Sequence, residues 1–451
     1  MGTVNSDYLF SRILIFYVFF TTWFFIGDMQ GSKFGILVIS SFAFILYISL
    51  LDDRIWGNFN VLIYQCLLLA LLMYVWVSYL NPSHVYSISS NSFVQSGDVY
   101  RFLPSSATPI VGIEKIVYFT LLLGFVSLLA FDILNRNYYK VILYFIWWNT
   151  LLLSVLGIIF KYLGASKMLG VVTPPFGTER YFFSSFTYKN HWGCYVLLTF
   201  GVVGFLMEEC KWRVSNYMKC LVLVSIAIFA ISVYLSGSRS CSILITGLLI
   251  IFYLRFIFKT RWNSKFAQIF AGSFGLLFII ATIVLSFLSH KEVATEFLNS
   301  TKIYFEGYKR GDWGTRYYLS RDTFKMFAEQ PIFGWGLGSF EFVFNYYKDG
   351  YFKGADHFKD HHYVYAHNDI LQYLSELGVI GFGLLVALFI VPFWKRLSIF
   401  WISASEMWII YCLVLVSLYS LFEFPLRTPS VSLLYTILFA GVLRASRIND
   451  S

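Results

Sequence analysis

Charged side chains are scarce in this sequence, which excludes an ordinary soluble globular protein. Asp, Glu, Lys and Arg make up 13% of the 451 residues, whereas about a quarter of the residues in soluble domains are charged. Hydrophobic residues make up 58%, and the mean hydropathy is +0.67. The composition therefore predicts that most of the chain is surrounded by lipid.

CxxC cysteine pairs, basic runs and a small-residue cleavage site after the first apolar run are also missing. The six cysteines form no CxxC pair, so packing roles are expected for them rather than a zinc or redox site. The net charge of +9 is dispersed between apolar runs, so nucleic acid is not an expected partner. No small-residue cleavage site follows the apolar run after Arg12, which predicts a retained helix.

Long apolar runs dominate the chain instead. Each run of about 17 to 25 residues can cross a hydrocarbon core of roughly 30 Å as a helix. The runs lack the alternation of barrel strands, and lipid cannot pair open backbone groups, so helices are favoured. The predicted fold class is all-α: a polytopic membrane protein with about 12 transmembrane helices and one large extracytoplasmic helical loop. The predicted spans lie near 10–27, 34–51, 61–80, 114–133, 139–160, 190–207, 219–236, 241–257, 268–288, 376–394, 404–423 and 429–444.

Lysine and arginine in the connections predict the orientation of the chain, because short cytoplasmic loops are enriched in positive residues. The connections after the even-numbered spans are basic, as in the cluster of Lys211, Arg213 and Lys219. The alternate connections are poorer in positive charge. Both termini are therefore predicted to be cytoplasmic, and the longer segments 81–113 and 161–189 to face outward.

A third outward segment, 289–375, is predicted to carry the function. It is longer than a connection requires, and such loops are usually functional. Aromatic and basic residues intermingle in TRYYLSRDTFKMFAEQ (315–330), which indicates amphipathic helices against the membrane surface. The chain is accordingly divided into residues 1–288 with nine spans, this periplasmic loop, and residues 376–451 with three spans and a cytoplasmic tail.

Arg239 lies in SGSRS (236–240), a very short outward turn between two apolar runs. An arginine at the edge of hydrocarbon is costly unless it pairs with an anion, snorkels or faces water. Snorkelling to lipid headgroups is the simple interpretation. The surrounding small residues also leave the guanidinium accessible and add hydroxyl and backbone donors, an arrangement that suits a phosphate.

Arg316 begins an amphipathic run that ends at Pro331 and a turn containing Gly334, Gly336 and Gly338. A solvated charge on a helix face is the alternative interpretation of this arginine. The GxGxG spacing does not indicate a nucleotide site, because no strand precedes it and the segment is predicted to face away from the cytoplasm. The glycines are predicted to let the chain turn sharply at the membrane surface.

The densest polar stretch is HHYVYAHNDILQYLSELGVIGFG (361–383). His367 and Asn368 lie just before a predicted helix, and Glu376 lies two turns into it. Histidine is a common general base near neutral pH, and a carboxylate at the membrane edge can orient or balance a cation. A helix cap or an interfacial polar residue is the alternative for His367.

A zinc site near this stretch is considered and not favoured. The candidate ligands match neither HExxH nor a common structural zinc pattern, so no metal and no cofactor is predicted. The residues concerned are Asp356, His357, Asp360, His361 and His362.

Five separated segments together resemble the O-antigen ligase and polymerase superfamily of bacterial envelope glycosyltransferases. Their order is more specific than any single motif, and the similarity extends from about residue 180 onward. The segments are FFSSFTYKNHWGCYVLL (182–198), SGSRS (236–240), the run from Arg316 through PIFGWGLGSF, AHNDILQYLSELGVIGFG (366–383) and SLFEFPLRTPS (420–430).

The resemblance implies a metal-independent, inverting glycosyltransferase of the bacterial inner membrane. Such an enzyme takes a glycan from undecaprenyl diphosphate on the periplasmic face, within membrane lipid. In the family, the arginines matching Arg239 and Arg316 hold the donor diphosphate, and the histidine matching His367 activates the acceptor hydroxyl. Arg321, about one and a half turns beyond Arg316, could face the donor instead.

The leading functional prediction is an O-antigen ligase that transfers the glycan to lipid A-core. A polymerase that extends the carrier-linked glycan uses the same donor and is the first alternative. A protein oligosaccharyltransferase is less favoured, because no extra acceptor domain is visible. A membrane transporter is the alternative from a different class, although the apolar runs are nearly free of the charges that transporters place deep in the membrane.

Several other polar residues are predicted to support the site. Lys189, Asn190 and His191, at the outer end of a predicted span, could bind lipid phosphate or glycan, and a helix cap is the equal alternative. Glu423 and Arg427 flank a proline in the last outward turn and could pair with each other. The predicted supporting residues are Lys189, His191, Asn368 and Glu376.

Overall fold

The structure is a computed structural model. It describes residues 6–24, 59–87, 92–130, 136–174, 181–211, 215–259, 314–348, 363–398 and 402–444, together with Gly35, Val38, Ser41, Lys265 and Ile280. Apart from four of these single residues, the predicted spans 34–51 and 268–288 lie outside the described residues. The five candidate zinc ligands between 356 and 362 lie outside them too.

Helices account for nearly all regular structure in the described ranges, as the apolar runs predict. Every predicted span within those ranges coincides with a helix. The helices are α1 (Ser6–Trp23), α2 (Phe59–Leu80), α3 (Pro109–Ala130), α4 (Arg136–Tyr162), α5 (Lys189–Glu209), α6 (Asn216–Ser236), α7 (Arg239–Lys259), α8 (Thr315–Glu329), α9 (Phe340–Tyr347), α10 (Asp369–Ser398), α11 (Ala404–Tyr419) and α12 (Pro429–Arg444).

Six of the described helices are long and apolar enough to cross a membrane, and three shorter ones are also apolar. The protein is therefore a multi-pass helical membrane protein, while the total of twelve spans stays a prediction. One feature was not predicted: strands β1 (His84–Ser87) and β2 (Ser92–Gln95) form a short antiparallel hairpin with His84 opposite Gln95.

Helix α5 is the centre of the bundle. It is buried from Asn190 to Met207 and contacts α4, α6, α7, α11 and α12. Small residues allow this close packing, because a Cβ at Gly204 would overlap the indole of Trp408. At 1.5 Å per residue, α5 separates its two ends by about 30 Å.

Ion pairs mark the end of the bundle where α5 finishes. Glu209 pairs with Lys140 at 3.0 Å, and Glu208 pairs with Arg255. The polar residues of interest lie at the opposite end, where α5 begins.

Helix α10 is broken at Gly378, which has φ 62° and ψ −177°. The turn from Pro331 to Gly338 fills the break with its own backbone. Val379 N–H donates to Pro331 O at 2.8 Å, and Gly336 N–H donates to Glu376 O at 2.8 Å. The turn thus replaces helix bonds lost at the break, as buried irregular backbone within a membrane requires.

Glycine is required in this turn for its positive φ. Gly334, Gly336 and Gly338 have φ values of 71°, 93° and 84°, which residues with a Cβ rarely adopt. The predicted sharp turn is confirmed. Its packing against α10, which fixes α8 to the bundle, was not predicted.

We predict that Gly378→Ala destabilises the protein by about 1–3 kcal/mol or more, because the φ and ψ values of Gly378 are essentially restricted to glycine. The added Cβ would also overlap Ile332 O. Thermal melting of the purified protein in detergent measures the loss. Gly383→Ala on the same helix is the control, because no atom lies within 4 Å of its Cβ. Equal melting temperatures for the two variants would contradict the role of the break.

Candidate active site

The carboxylate of Glu423 is the centre of the polar cluster. It lies in the turn between α11 and α12, and its side chain is 0% exposed. Oε1 accepts hydrogen bonds from Asn190 Nδ2 at 2.6 Å and from Arg316 Nη2. Oε2 lies 3.2 Å from His367 Nδ1. One buried carboxylate therefore joins side chains from three distant segments.

Glu423 is held in its anionic form. Burial alone would raise the pKa of this carboxyl, but the hydrogen bond with His367 and the charge of Arg316 outweigh burial and lower the pKa below its ordinary value. A buried anion with such partners satisfies the requirement for pairing in a low dielectric.

The anion also orients His367. If Nδ1–H donates to the carboxylate, Nε2 carries the lone pair, which is the tautomer a general base needs. The side chain remains 25% exposed, so part of the imidazole is accessible from outside the protein. The backbone of His367 has φ 53°, a left-handed conformation that is uncommon for a residue with a Cβ.

An aromatic stack supports this histidine. The ring of Phe424 is stacked with those of Tyr188 and Tyr365, with centroid distances of 5.7 and 4.4 Å. His367 and His191 each meet the Phe424 ring at 4.8 Å and nearly at right angles. These ring contacts of Phe424 restrict where the two imidazoles can lie.

The SGSRS turn is attached to the same cluster through Asn190. Ser238 Oγ donates to Asn190 Oδ1 at 2.6 Å, and Asn190 in turn donates to Glu423. Arg239, the next residue, is exposed at the start of α7. Lys189 Nζ approaches the backbone of Gly237 in this turn. The predicted residues Lys189 and Arg239 are therefore brought to the end of the bundle that holds Glu423.

Arg321 belongs to a different environment from Arg316. Its Nε and Nη2 contact Asp322 at 3.0 and 3.3 Å, and its guanidinium lies 4.9 Å from the ring of Tyr318. Asp322 also pairs with Lys325 at 2.8 Å. Of the two arginines predicted to face the donor, Arg316 is the one that α8 brings to Glu423 and His367.

Arg427 forms a second buried cluster. Its Nη2 lies 3.0 Å from Glu376 Oε2, and its Nε lies 3.5 Å from Asp369 Oδ1. Its side chain is 7% exposed. The suggested pair between Glu423 and Arg427 is wrong, because each residue has its own opposite charge on a different segment.

The remaining predicted residues have defined local roles. Asn368 Oδ1 accepts from Leu371 N–H at 2.9 Å, so it caps α10. His191 is buried, and its Nδ1 lies 2.8 Å from Thr428 Oγ1. The supporting roles predicted for both residues at a substrate site stay predictions.

Sequence reasoning missed the central roles of Glu423 and Asn190. Both residues lie within segments that carry the family resemblance, so a signal for the region was present. Their pairing could not be read from the sequence, because 233 positions separate them.

The fold and the site define the class: a multi-pass helical membrane protein with an Arg, His and Glu cluster at one end of its bundle. Residues 224–386 match the model of the O-antigen ligase family (Wzy_C). This match supports the resemblance to the O-antigen ligase/polymerase superfamily, whose members are membrane glycosyltransferase-like enzymes. No curated protein matches the chain. The match includes Arg239, Arg316 and His367 but not Glu423.

We predict that Glu423→Gln destabilises the cluster by about 1–3 kcal/mol, a loss limited by the half-exposed position of Arg316. Because folding lowers the pKa of Glu423, its stabilising contribution is present above the ordinary carboxyl pKa and is lost as pH falls through the lowered value. The variant should therefore melt at a lower temperature than wild type at neutral pH, and this difference should shrink at acidic pH. Glu341→Gln, at a partly exposed pair with Lys115, is the control. A constant difference between Glu423→Gln and wild type across this range would contradict an anionic Glu423.

Proposed function

We propose that this protein is an O-antigen ligase-like glycosyltransferase. It moves a glycan from undecaprenyl diphosphate to lipid A-core, on the periplasmic face of a bacterial inner membrane, without a metal. The observation that carries the proposal is the contact of Arg316 and His367 with one buried carboxylate. This arrangement supplies an anion-binding group and a base at the same end of the bundle.

His367 acts as the general base in this proposal. Glu423 accepts a hydrogen bond from Nδ1–H and leaves the Nε2 lone pair to take the proton of the acceptor hydroxyl. The hydroxyl oxygen then attacks the anomeric carbon while the bond between that carbon and the donor diphosphate breaks. This displacement inverts the anomeric centre. Glu423 also stabilises the imidazolium that forms, as a carboxylate does in a serine hydrolase triad.

Arg316 and Arg239 bind the donor diphosphate in this proposal. Arg316 contacts Glu423 through Nη2, and its side chain is 50% exposed. Guanidinium groups can offset the charge that develops on a leaving diphosphate, because their N–H donors match phosphate oxygens. Lys189, beside the SGSRS turn, adds a further cation to this end of the bundle.

A polymerase that extends the carrier-linked glycan is the second candidate, because it requires the same base and the same anion-binding groups. The two enzymes differ in the acceptor alone. In both, residues 289–375 form the outward loop and both termini are cytoplasmic.

Deletion of the chromosomal copy distinguishes these candidates. We expect a ligase deletion to remove long glycan from extracted lipopolysaccharide and to leave long chains on undecaprenyl diphosphate, measured by gel and mass spectrometry. A polymerase deletion would leave single repeat units on the carrier. If neither pool changes, glycosyl transfer is wrong and solute transport is the function to measure.

Complementation of the deletion tests the residues. We expect His367→Ala and Arg316→Ala to restore less than about one hundredth of wild-type transfer, because base and electrostatic groups each contribute factors of roughly 10²–10³. Arg321→Ala, on the same helix as Arg316, should restore much more. Equal losses at both arginines would contradict the assignment of Arg316, provided that immunoblots show equal amounts of protein in the membrane.

A further inference from the structure

Arg427 is a buried cation outside the groups assigned to the reaction. Besides Glu376 and Asp369, it lies 4.2 Å from the ring of Tyr373. These three partners are spaced along one face of α10, before its break. Burial would lower the pKa of Arg427, but the negative charge of Glu376 and of its other neighbours raises it above the ordinary value. Arg427 therefore remains charged.

Through Asp369, Arg427 is connected to the segment on the C-terminal side of His367. Asp369 Oδ2 accepts from Leu426 N–H at 2.9 Å. The backbone N–H of Asp369 donates to Ser420 O at 2.8 Å and to Glu423 O at 3.2 Å. The residue two positions after the histidine is thus attached to the turn that carries its carboxylate partner.

Through Glu376 and Gln372, Arg427 is connected to the segment on the N-terminal side of His367. Glu376 Oε1 accepts from Gln372 Nε2 at 3.2 Å. The other amide atom, Gln372 Oε1, accepts from Ala366 N–H at 2.9 Å. The residue just before the histidine is therefore attached to the second partner of Arg427.

Between these two attachments His367 has a left-handed backbone conformation, with φ 53°. Such a conformation costs of order 1–3 kcal/mol and persists only where the surroundings enforce it. Without both attachments, His367 would relax to an ordinary backbone conformation. Relaxation would carry Nδ1 away from Glu423, because the side chain follows the backbone.

We propose that Arg427 is a positioning residue for His367. One buried guanidinium holds the two carboxylates that fix the segments before and after the histidine, and so keeps the imidazole on Glu423. This inference deepens the proposed function, and it rests on that function only where transfer is measured. A purely structural role for Arg427 would lower stability without acting on His367.

The main test compares Arg427→Met with Arg255→Met. Arg255 also forms an ion pair with a buried glutamate, but at the opposite end of the bundle. Purified full-length proteins in lipid nanodiscs are given undecaprenyl diphosphate-linked glycan from the deletion strain and lipid A-core as acceptor. We expect Arg427→Met to lower kcat about 100-fold, as a misplaced catalytic group does, with the KM for the donor changed less than about threefold.

Coupling to His367 separates positioning from stability. The variant Arg427→Met with His367→Ala should be no slower than His367→Ala alone, because the positioned group is already absent. If Arg427→Met lowers the rate of His367→Ala by the same factor as it lowers the rate of wild type, the two residues act independently and the proposal is overturned. A tenfold rise in donor KM with kcat unchanged would also overturn it.

A second readout needs no transfer activity. Diethyl pyrocarbonate should modify His367 several-fold faster in Arg427→Met than in wild type or Arg255→Met, as measured by peptide mass spectrometry. If wild type transfers no glycan but this increase is seen, the proposed function fails and the positioning role stands. Unchanged modification would overturn the positioning role.

Gln372→Met provides a test that keeps all charges, should Arg427→Met fail to fold. It removes the attachment of Ala366 while leaving the ion pairs of Arg427 in place. We expect faster modification of His367 and a lower kcat in a folded protein with a moderately lower melting temperature, because the buried Ala366 N–H loses its acceptor. A wild-type rate of modification in folded Gln372→Met would overturn the proposal.

Discussion

Burial of the Glu423 carboxylate is the constraint on which the site depends. An ionised side chain removed from water is tolerated only when partners replace its hydration. Here the partners come from the start of α5, from α8 and from the segment before α10. Three stretches that are far apart in the sequence must therefore converge on one turn. The position of the histidine and of the arginine follows from that requirement.

The break in α10 is the second determinant of the site. A continuous helix would have no place for the glycine-rich turn, and α8 would lose its anchor to the bundle. With the break at Gly378, backbone groups from Pro331 to Gly336 complete the hydrogen bonding that the helix loses. The hydroxyl of Tyr74 lies 2.7 Å from both Phe333 O and Leu377 O, and its single proton is available to either carbonyl. The amphipathic segment thus becomes part of the bundle.

Two buried clusters include residues of the short turn between α11 and α12, and they have different roles. Glu423 contacts groups that are partly exposed and able to meet a substrate. Arg427, four residues later, is buried with its carboxylate partners and contacts α10. The aromatic stack on Phe424 lies beside His367. Because the two clusters are separate, the Arg427 cluster can form a rigid support shielded from water while the reactive side chains remain accessible.

The sequence alone determined the features that depend on composition and local pattern. Apolar runs predicted the described helices, because a span needs only length and hydrophobicity. Motif order predicted the superfamily and directed attention to Arg239, Arg316 and His367. The glycines near Gly336 predicted a turn, because positive φ is a local property.

Tertiary structure decided which groups meet. Arg316 and Arg321 are alike in sequence, and only the packing of α8 shows that one reaches Glu423 while the other remains with its neighbour Asp322. Glu423 and Arg427 are close along the chain, yet each pairs with a residue far away. Charge pairing depends on distance in space and on desolvation, and neither quantity is encoded in spacing along the chain.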